Sequence, residues 1–148
     1  MTEKMKIIDF LRENQLDAIF VQKDENCRYL SKFTGSDSYL LLTKEELYLL
    51  TDSRYTEQAR KEAADYTVVD YKGHLAEIVA KLAGEYHIKT MGVETVFSYQ
   101  MYLSFHKYMP NIEFRFSQID RLRQIKSEEE ISCIKEACRI SDAGFKAT

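Results

Sequence analysis

Short apolar runs alternate along this chain with segments of helical periodicity, and few folds satisfy that alternation. Residues 4–14 place Ile7, Ile8 and Leu11 on one helical face. Residues 17–21 (Asp17-Ala18-Ile19-Phe20-Val21) form a short apolar strand, and 23–31 a short helix. Tyr39-Leu40-Leu41-Leu42-Thr43 and Leu47-Tyr48-Leu49-Leu50-Thr51 flank Lys44-Glu45-Glu46, the signature of a hairpin whose turn is longer than two residues. Asp52-Ser53 opens a helix reaching about Ala64, with Tyr55, Ala59 and Ala63 stacked along it and Asp52 as its cap. A strand rich in Val, Tyr and Thr follows at 66–71. Leu75, Ile78, Val79, Leu82, Ala83 and Tyr86 then share one helical face. Residues 90–94 form a strand, Ser98 caps a helix that Pro110 ends, and 112–116 alternate as a strand with one wet face. The pattern predicts an α/β fold with helices on both faces of the sheet, and the early hairpin makes that sheet mixed.

The last segment carries its own signal. Ser127 followed by Glu130 is a capping box, and the acidic run Glu128-Glu129-Glu130 suits the positive end of a helix dipole. Ile131, Ile134, Cys138, Ser141 and Phe145 recur on one face with no later element to cover them. The expectation is a piece of a longer protein: a domain over 1–126, then at 127–148 the first helix of another. Ile131, Ile134 and Phe145 are accordingly expected to be poorly buried.

Composition excludes several functions. A chain of 148 residues, 45% hydrophobic and 30% charged, is long enough for one domain with a real core. The net charge of −3, with both signs interleaved, gives no footprint for nucleic acid. No apolar run approaches the ~20 residues that span a bilayer, and the N-terminus lacks a secretory apolar segment. Three widely spread cysteines fit reduced thiols in the cytoplasm, and Cys133 and Cys138 read as buried thiols rather than ligands. His74, His87 and His106 are isolated from other ligand types, so no metal site and no catalytic residue is expected within the chain. The five glycines are scattered, which excludes a phosphate loop. Ten tyrosines and eight phenylalanines are read as packing residues.

Two stretches are candidates for a binding role. In Tyr29-Leu30-Ser31-Lys32-Phe33-Thr34-Gly35-Ser36, small hydroxyl-bearing residues between an aromatic and a strand suit a projecting loop, though an ordinary surface loop has the same composition. In Leu50-Thr51-Asp52-Ser53-Arg54-Tyr55, Arg54 has the reach to pair with a carboxylate, either a neighbour's or a substrate terminus.

These stretches, with Arg121-Leu122-Arg123-Gln124-Ile125-Lys126-Ser127-Glu128-Glu129-Glu130-Ile131, stand in an order and spacing that resemble the N-terminal domain of the creatinase/prolidase family. That family includes Xaa-Pro aminopeptidases and Xaa-Pro dipeptidases. The chain departs from the family pattern at Ser31-Lys32, where Thr-Gly is usual, and at Ser53, where many members carry glycine. Ser53 implies a turn without positive φ. The resemblance implies a three-layer, ribonuclease H-like α/β domain with a mixed central sheet. It implies a non-catalytic part of a metal-dependent Xaa-Pro peptidase, cytoplasmic and homodimeric, that cleaves proline-containing peptides. The two divalent metal ions, expected to be manganese, belong to a catalytic domain that would follow, so this stretch alone is expected to be inactive. The position-matched pocket or dimer loop is 33–39: Phe33, Thr34, Ser36, Asp37, Ser38 and Tyr39, with Arg54 beside it. Asp37 is the candidate partner for a peptide amino group. The alternatives are a non-catalytic peptide- or protein-binding module of the same fold, or the N-terminal domain of a creatinase-like amidinohydrolase.

Overall fold

The computed structural model describes residues 3–147. Its elements run α1 (Glu3–Glu13), β1 (Ala18–Val21), α2 (Asp24–Ser31), β2 (Tyr39–Thr43), β3 (Leu47–Thr51), α3 (Thr56–Glu62), β4 (Thr67–Asp70), α4 (Leu75–Glu85), β5 (Thr90–Val93), α5 (Tyr99–Tyr108) and β6 (Glu113–Phe116). A short 3₁₀ turn (Ile119–Arg123) and α6 (Glu128–Lys146) complete the order.

The strands form one sheet in the order β4-β3-β2-β1-β5-β6. The β2–β3 hairpin is antiparallel, pairing Tyr39 with Leu50 and Leu42 with Leu47. Its turn is held by Thr43, whose Oγ1 accepts the N–H groups of Glu45 and Glu46 at 3.2 and 2.8 Å. β1 is antiparallel to β2 and parallel to β5, β5 is parallel to β6, and β3 is parallel to β4. β2 alone therefore runs against the other strands. The carboxyl ends of β1, β3, β5 and β6 gather on one edge, together with the loop that enters β2.

The central strands are buried on both faces, so their apolar runs are continuous rather than alternating. Alternate residues still go to different layers. Ile19, Val21, Leu40, Leu42, Leu47 and Leu49 pack against Ile7, Phe10 and Leu11 of α1, Leu30 of α2 and Ala59 of α3. Phe20, Leu41, Tyr48 and Leu50 face the opposite way, against Val79 and Leu82 of α4 and Phe105 of α5. The expected three layers and mixed sheet are thus present, and the aromatics fill the second layer: Phe20 meets Phe105 edge-on at 4.9 Å.

Three local expectations need correction. The helix after β3 starts at Thr56, and Asp52 does not cap it; its Oδ1 accepts the N–H of Arg54 at 2.8 Å in a tighter turn ahead of the helix. β6 has no clean dry face: it is an edge strand, Phe114 is half-buried and Phe116 is exposed. Cys133 and Cys138 are exposed on α6, whereas Cys27 is buried and its burial pushes the thiol pKa up. The 3₁₀ turn at 119–123 lacks any apolar periodicity that would have announced it. The capping box of Ser127 and Glu130 is formed, with Ser127 N–H donating to Glu130 Oε2 at 2.8 Å. No residue of α6 is buried; Ile134 and Phe145 are 49% and 85% exposed, as their position predicted, and Ile131 is half-buried.

Candidate functional site

The 33–39 loop and the turn after β3 meet at the carboxyl edge of the sheet. The loop is anchored at both ends. Phe33 is buried and lies edge-on to Tyr55, with ring centroids 6.3 Å apart. Gly35 passes directly over that ring: a Cβ there would fall 2.3 Å from Phe33 Cζ, so only glycine lets the loop cross so closely. At the far end Ser38 is buried, and Tyr39 stacks on Phe20 at 5.5 Å, its burial pushing the phenol pKa up.

Between these anchors the loop is fastened by α3. Thr34 N–H donates to Glu62 Oε2 at 2.8 Å, and Gln58 donates to both Thr34 Oγ1 and Glu62 Oε1. The Thr34 N–H, helped by Gln58, holds the Glu62 carboxyl below the usual range. Ser36 Oγ lies 3.1 Å from the Tyr55 hydroxyl. Asp37 sits at the apex with φ 51°, a left-handed conformation that aspartate tolerates better than most residues. Its carbonyl accepts from Thr51 Oγ1 at 3.3 Å.

Arg54 ties the two segments together. Its Nε donates to Asp52 Oδ2 at 3.0 Å, and its Nη2 reaches Asp37 Oδ2 at 3.1 Å. The guanidinium holds the Asp52 carboxyl below its usual range, and Asp52 in turn raises the Arg54 pKa. Arg54 remains 68% exposed. Among the described residues no hydrogen bond engages Asp37 Oδ1, and the Asp37 side chain is 59% exposed. Ser53 keeps a negative φ, as its departure from glycine implied. Lys32 closes α2 at φ 62°, a left-handed conformation that costs a residue other than glycine. The candidate residues thus come together on one edge, as an exposed acidic tip braced by one arginine.

Sequence reasoning missed a second charged cluster on the same edge. Glu94, immediately after β5, is 2% exposed. Its Oε2 accepts the N–H groups of Gln22 and Lys23 at 2.6 and 2.8 Å, and its Oε1 accepts from Asn26 Nδ2. The same Asn26 amide donates to Asp120 Oδ1 at 3.1 Å, and Lys23 Nζ reaches Asp120 Oδ2 at 3.1 Å. A glutamate ending an apolar strand was the available signal.

Among the described residues no three His, Cys, Asp or Glu side chains converge to hold a metal ion. No helix among them is long and apolar enough to cross a membrane.

This architecture has close counterparts. Residues 5–125 match the family described as the Creatinase/Prolidase N-terminal domain, and the chain belongs to that family. The Xaa-Pro dipeptidase of Pyrococcus horikoshii is 33% identical over 153 aligned positions, covering 99% of this chain and 42% of that protein. The structure of an Xaa-Pro dipeptidase from Bacillus anthracis superposes with a TM-score of 0.87 at 33% identity, over 97% of this chain and 42% of that one. The N-terminal domain of the cytoplasmic peptidase PepQ from Mycobacterium tuberculosis aligns with a TM-score of 0.71 at 27% identity, over 78% of this chain and 92% of that one. The chain thus spans about two fifths of the full-length relatives it matches.

Proposed function

We propose that this chain is the non-catalytic N-terminal domain of a cytoplasmic, homodimeric Xaa-Pro peptidase, and that its 33–39 loop closes one side of the substrate pocket. The observation that carries the reading is the braced acidic tip: a loop fixed at Phe33, Thr34 and Tyr39 that presents Asp37 outward. Chemistry on the bond before proline, with its divalent metal ions, falls to residues outside this chain. A rigid wall on the pocket contributes by excluding water and by holding the peptide in register. Asp37 Oδ1 is suited to accept the free ammonium of a short peptide, while Arg54 neutralises the other oxygen and keeps the tip in place.

The test is Asp37→Ala in the longer protein, assayed on Xaa-Pro dipeptides and on an Xaa-Pro-Yaa peptide. Loss of one charge-assisted hydrogen bond predicts a KM for both substrates raised about tenfold with kcat little changed. Unchanged kinetics on both would remove Asp37 from the pocket. A longer protein silent on every Xaa-Pro substrate would favour the binding-module or creatinase-like alternatives.

A further inference from the structure

The cluster around Glu94 lies at a topological switch point. β1 and β5 are parallel neighbours, but β1 continues into α2 on one face of the sheet and β5 into α5 on the other. In open α/β sheets such a crevice commonly receives an anionic ligand. Here a carboxylate of the chain itself fills it, since Glu94 already takes the N–H groups of Gln22 and Lys23 that open α2.

From Glu94 the network continues toward the 3₁₀ turn. The Asn26 amide bridges two carboxylates, donating one N–H to Glu94 and the other to Asp120. The two N–H groups of the amide nitrogen are thus both used, while Asn26 Oδ1 is buried with no partner among the described residues. Asp120 is also held by Lys23 and flanked by Arg123, whose Nη2 is 3.6 Å away. A second tie runs from Tyr29 Oη to the Leu122 carbonyl at 3.2 Å. The turn at 119–123 is thereby clamped to α2, and α6 begins only five residues later with no buried residue of its own.

We propose that Asn26 and Asp120 are positioning residues: the Glu94–Asn26–Asp120 bridge fixes the turn at 119–123 and so sets the direction in which α6 leaves the domain. On the reading that a catalytic domain follows, this angle sets where that domain stands relative to the 33–39 loop. The inference rests on that reading only for its purpose. The bridge is testable in this chain without any catalysis, so its failure and the failure of the peptidase reading are separate results.

The experiment pairs amide hydrogen exchange with a distance measurement. Exchange is followed over 119–124. Spin labels are placed on Cys138, which is exposed, and on a cysteine introduced by Glu85→Cys, with Cys133→Ser removing the competing thiol. Asp120→Asn removes the ion pair with Lys23 and weakens the bridge, because a neutral amide oxygen replaces the carboxylate as acceptor of the Asn26 N–H. Loss of one charged hydrogen bond predicts exchange over 119–124 faster by about tenfold, with β1 and β3 unaffected, and a broader interlabel distance distribution. Asn26→Asp sets a third carboxylate between Glu94 and Asp120, with Lys23, Asp24 and Arg123 as the other charges around it. Its loosening should exceed that of Asp120→Asn, because a repelling charge replaces the donor shared by the two carboxylates. If 119–124 exchange as in the parent sequence in Asp120→Asn, the proposal is overturned. It is equally overturned if exchange rises but the distance distribution stays as narrow as before, because the bridge would then hold the turn without aiming α6. Should Asn26→Asp fail to fold, the half-exposed Asp120→Asn still decides the matter.

Discussion

Asp52 and Glu94 both follow the last residue of a strand on the same edge of the sheet, and both accept backbone N–H groups with a carboxylate. Asp52 accepts from Arg54, two residues on, and its side chain keeps 22% of its surface. Glu94 accepts from Gln22 and Lys23, more than seventy residues back, and is buried. The first arrangement is a local turn whose charges are hydrated and screened, so it shapes a surface without holding the fold. The second replaces water entirely, so each of its hydrogen bonds becomes necessary once the group is desolvated. One edge of the sheet thus carries a buried structural carboxylate and a partly exposed one that shapes a turn.

The sharpest way to break this contrast is Glu94→Ala, which leaves the N–H groups of Gln22 and Lys23 and one N–H of Asn26 without an acceptor. Unfolding in denaturant should show a loss of about 3 kcal/mol or more, with an unchanged m-value. A loss below about 1 kcal/mol would make the buried cluster no more structural than the exposed one.

Next comes the loop's backbone. Gly35→Ala drives a methyl into the Phe33 ring and should cost about 1–3 kcal/mol, while shifting the resonances of Phe33 and Tyr55. A neutral substitution would mean that the loop slides over the ring rather than being seated on it.

Lys32→Gly works in the opposite direction. It relieves a left-handed residue at the end of α2 and should stabilise the domain by about 0.5–1 kcal/mol, after losing the minor contact of Lys32 with Tyr29. Thermal unfolding measures it directly.

The acid limb of stability separates the clusters by pH. Burial alone would raise the Asp120 carboxyl, but donation from Lys23 and Asn26 outweighs it and holds the value below the usual range. A depressed folded-state value means stability that is present above the unfolded carboxylate range and lost as pH falls through the folded value. Asp120→Asn should therefore flatten the fall in stability below about pH 4, and an identical acid limb would contradict the assignment. The smallest effect belongs to the exposed brace: Arg54→Ala should leave the unfolding midpoint where it is, while NMR shifts at Asp37 and Ser36 report a loosened tip.

The same contrast explains what was legible in the sequence. Elements whose cause is local were readable: the hairpin around Lys44-Glu45-Glu46, the Ser98 cap and the Ser127–Glu130 capping box. That 33–38 form a loop was also readable from composition, whereas a binding role for that loop and for Arg54 rested on the family resemblance alone. The start of α3 was misread because an aspartate after a strand serves equally as a helix cap or as a turn acceptor, and Asp52 does the second. Phe116 was misread because period-two alternation cannot tell an edge strand from one covered on a face. The Glu94–Asn26–Asp120 bridge was invisible for a stronger reason: its members are far apart in the chain, and only the strand order brings them together.

The most direct test of the account is hydrolysis of an Xaa-Pro dipeptide and an Xaa-Pro-Yaa peptide, with added Mn²⁺, by this chain and by the longer protein it is proposed to begin. The account predicts turnover by the longer protein and none by this chain. Turnover by this chain alone would contradict it, since among its described residues no three ligand-type side chains converge to hold a metal ion.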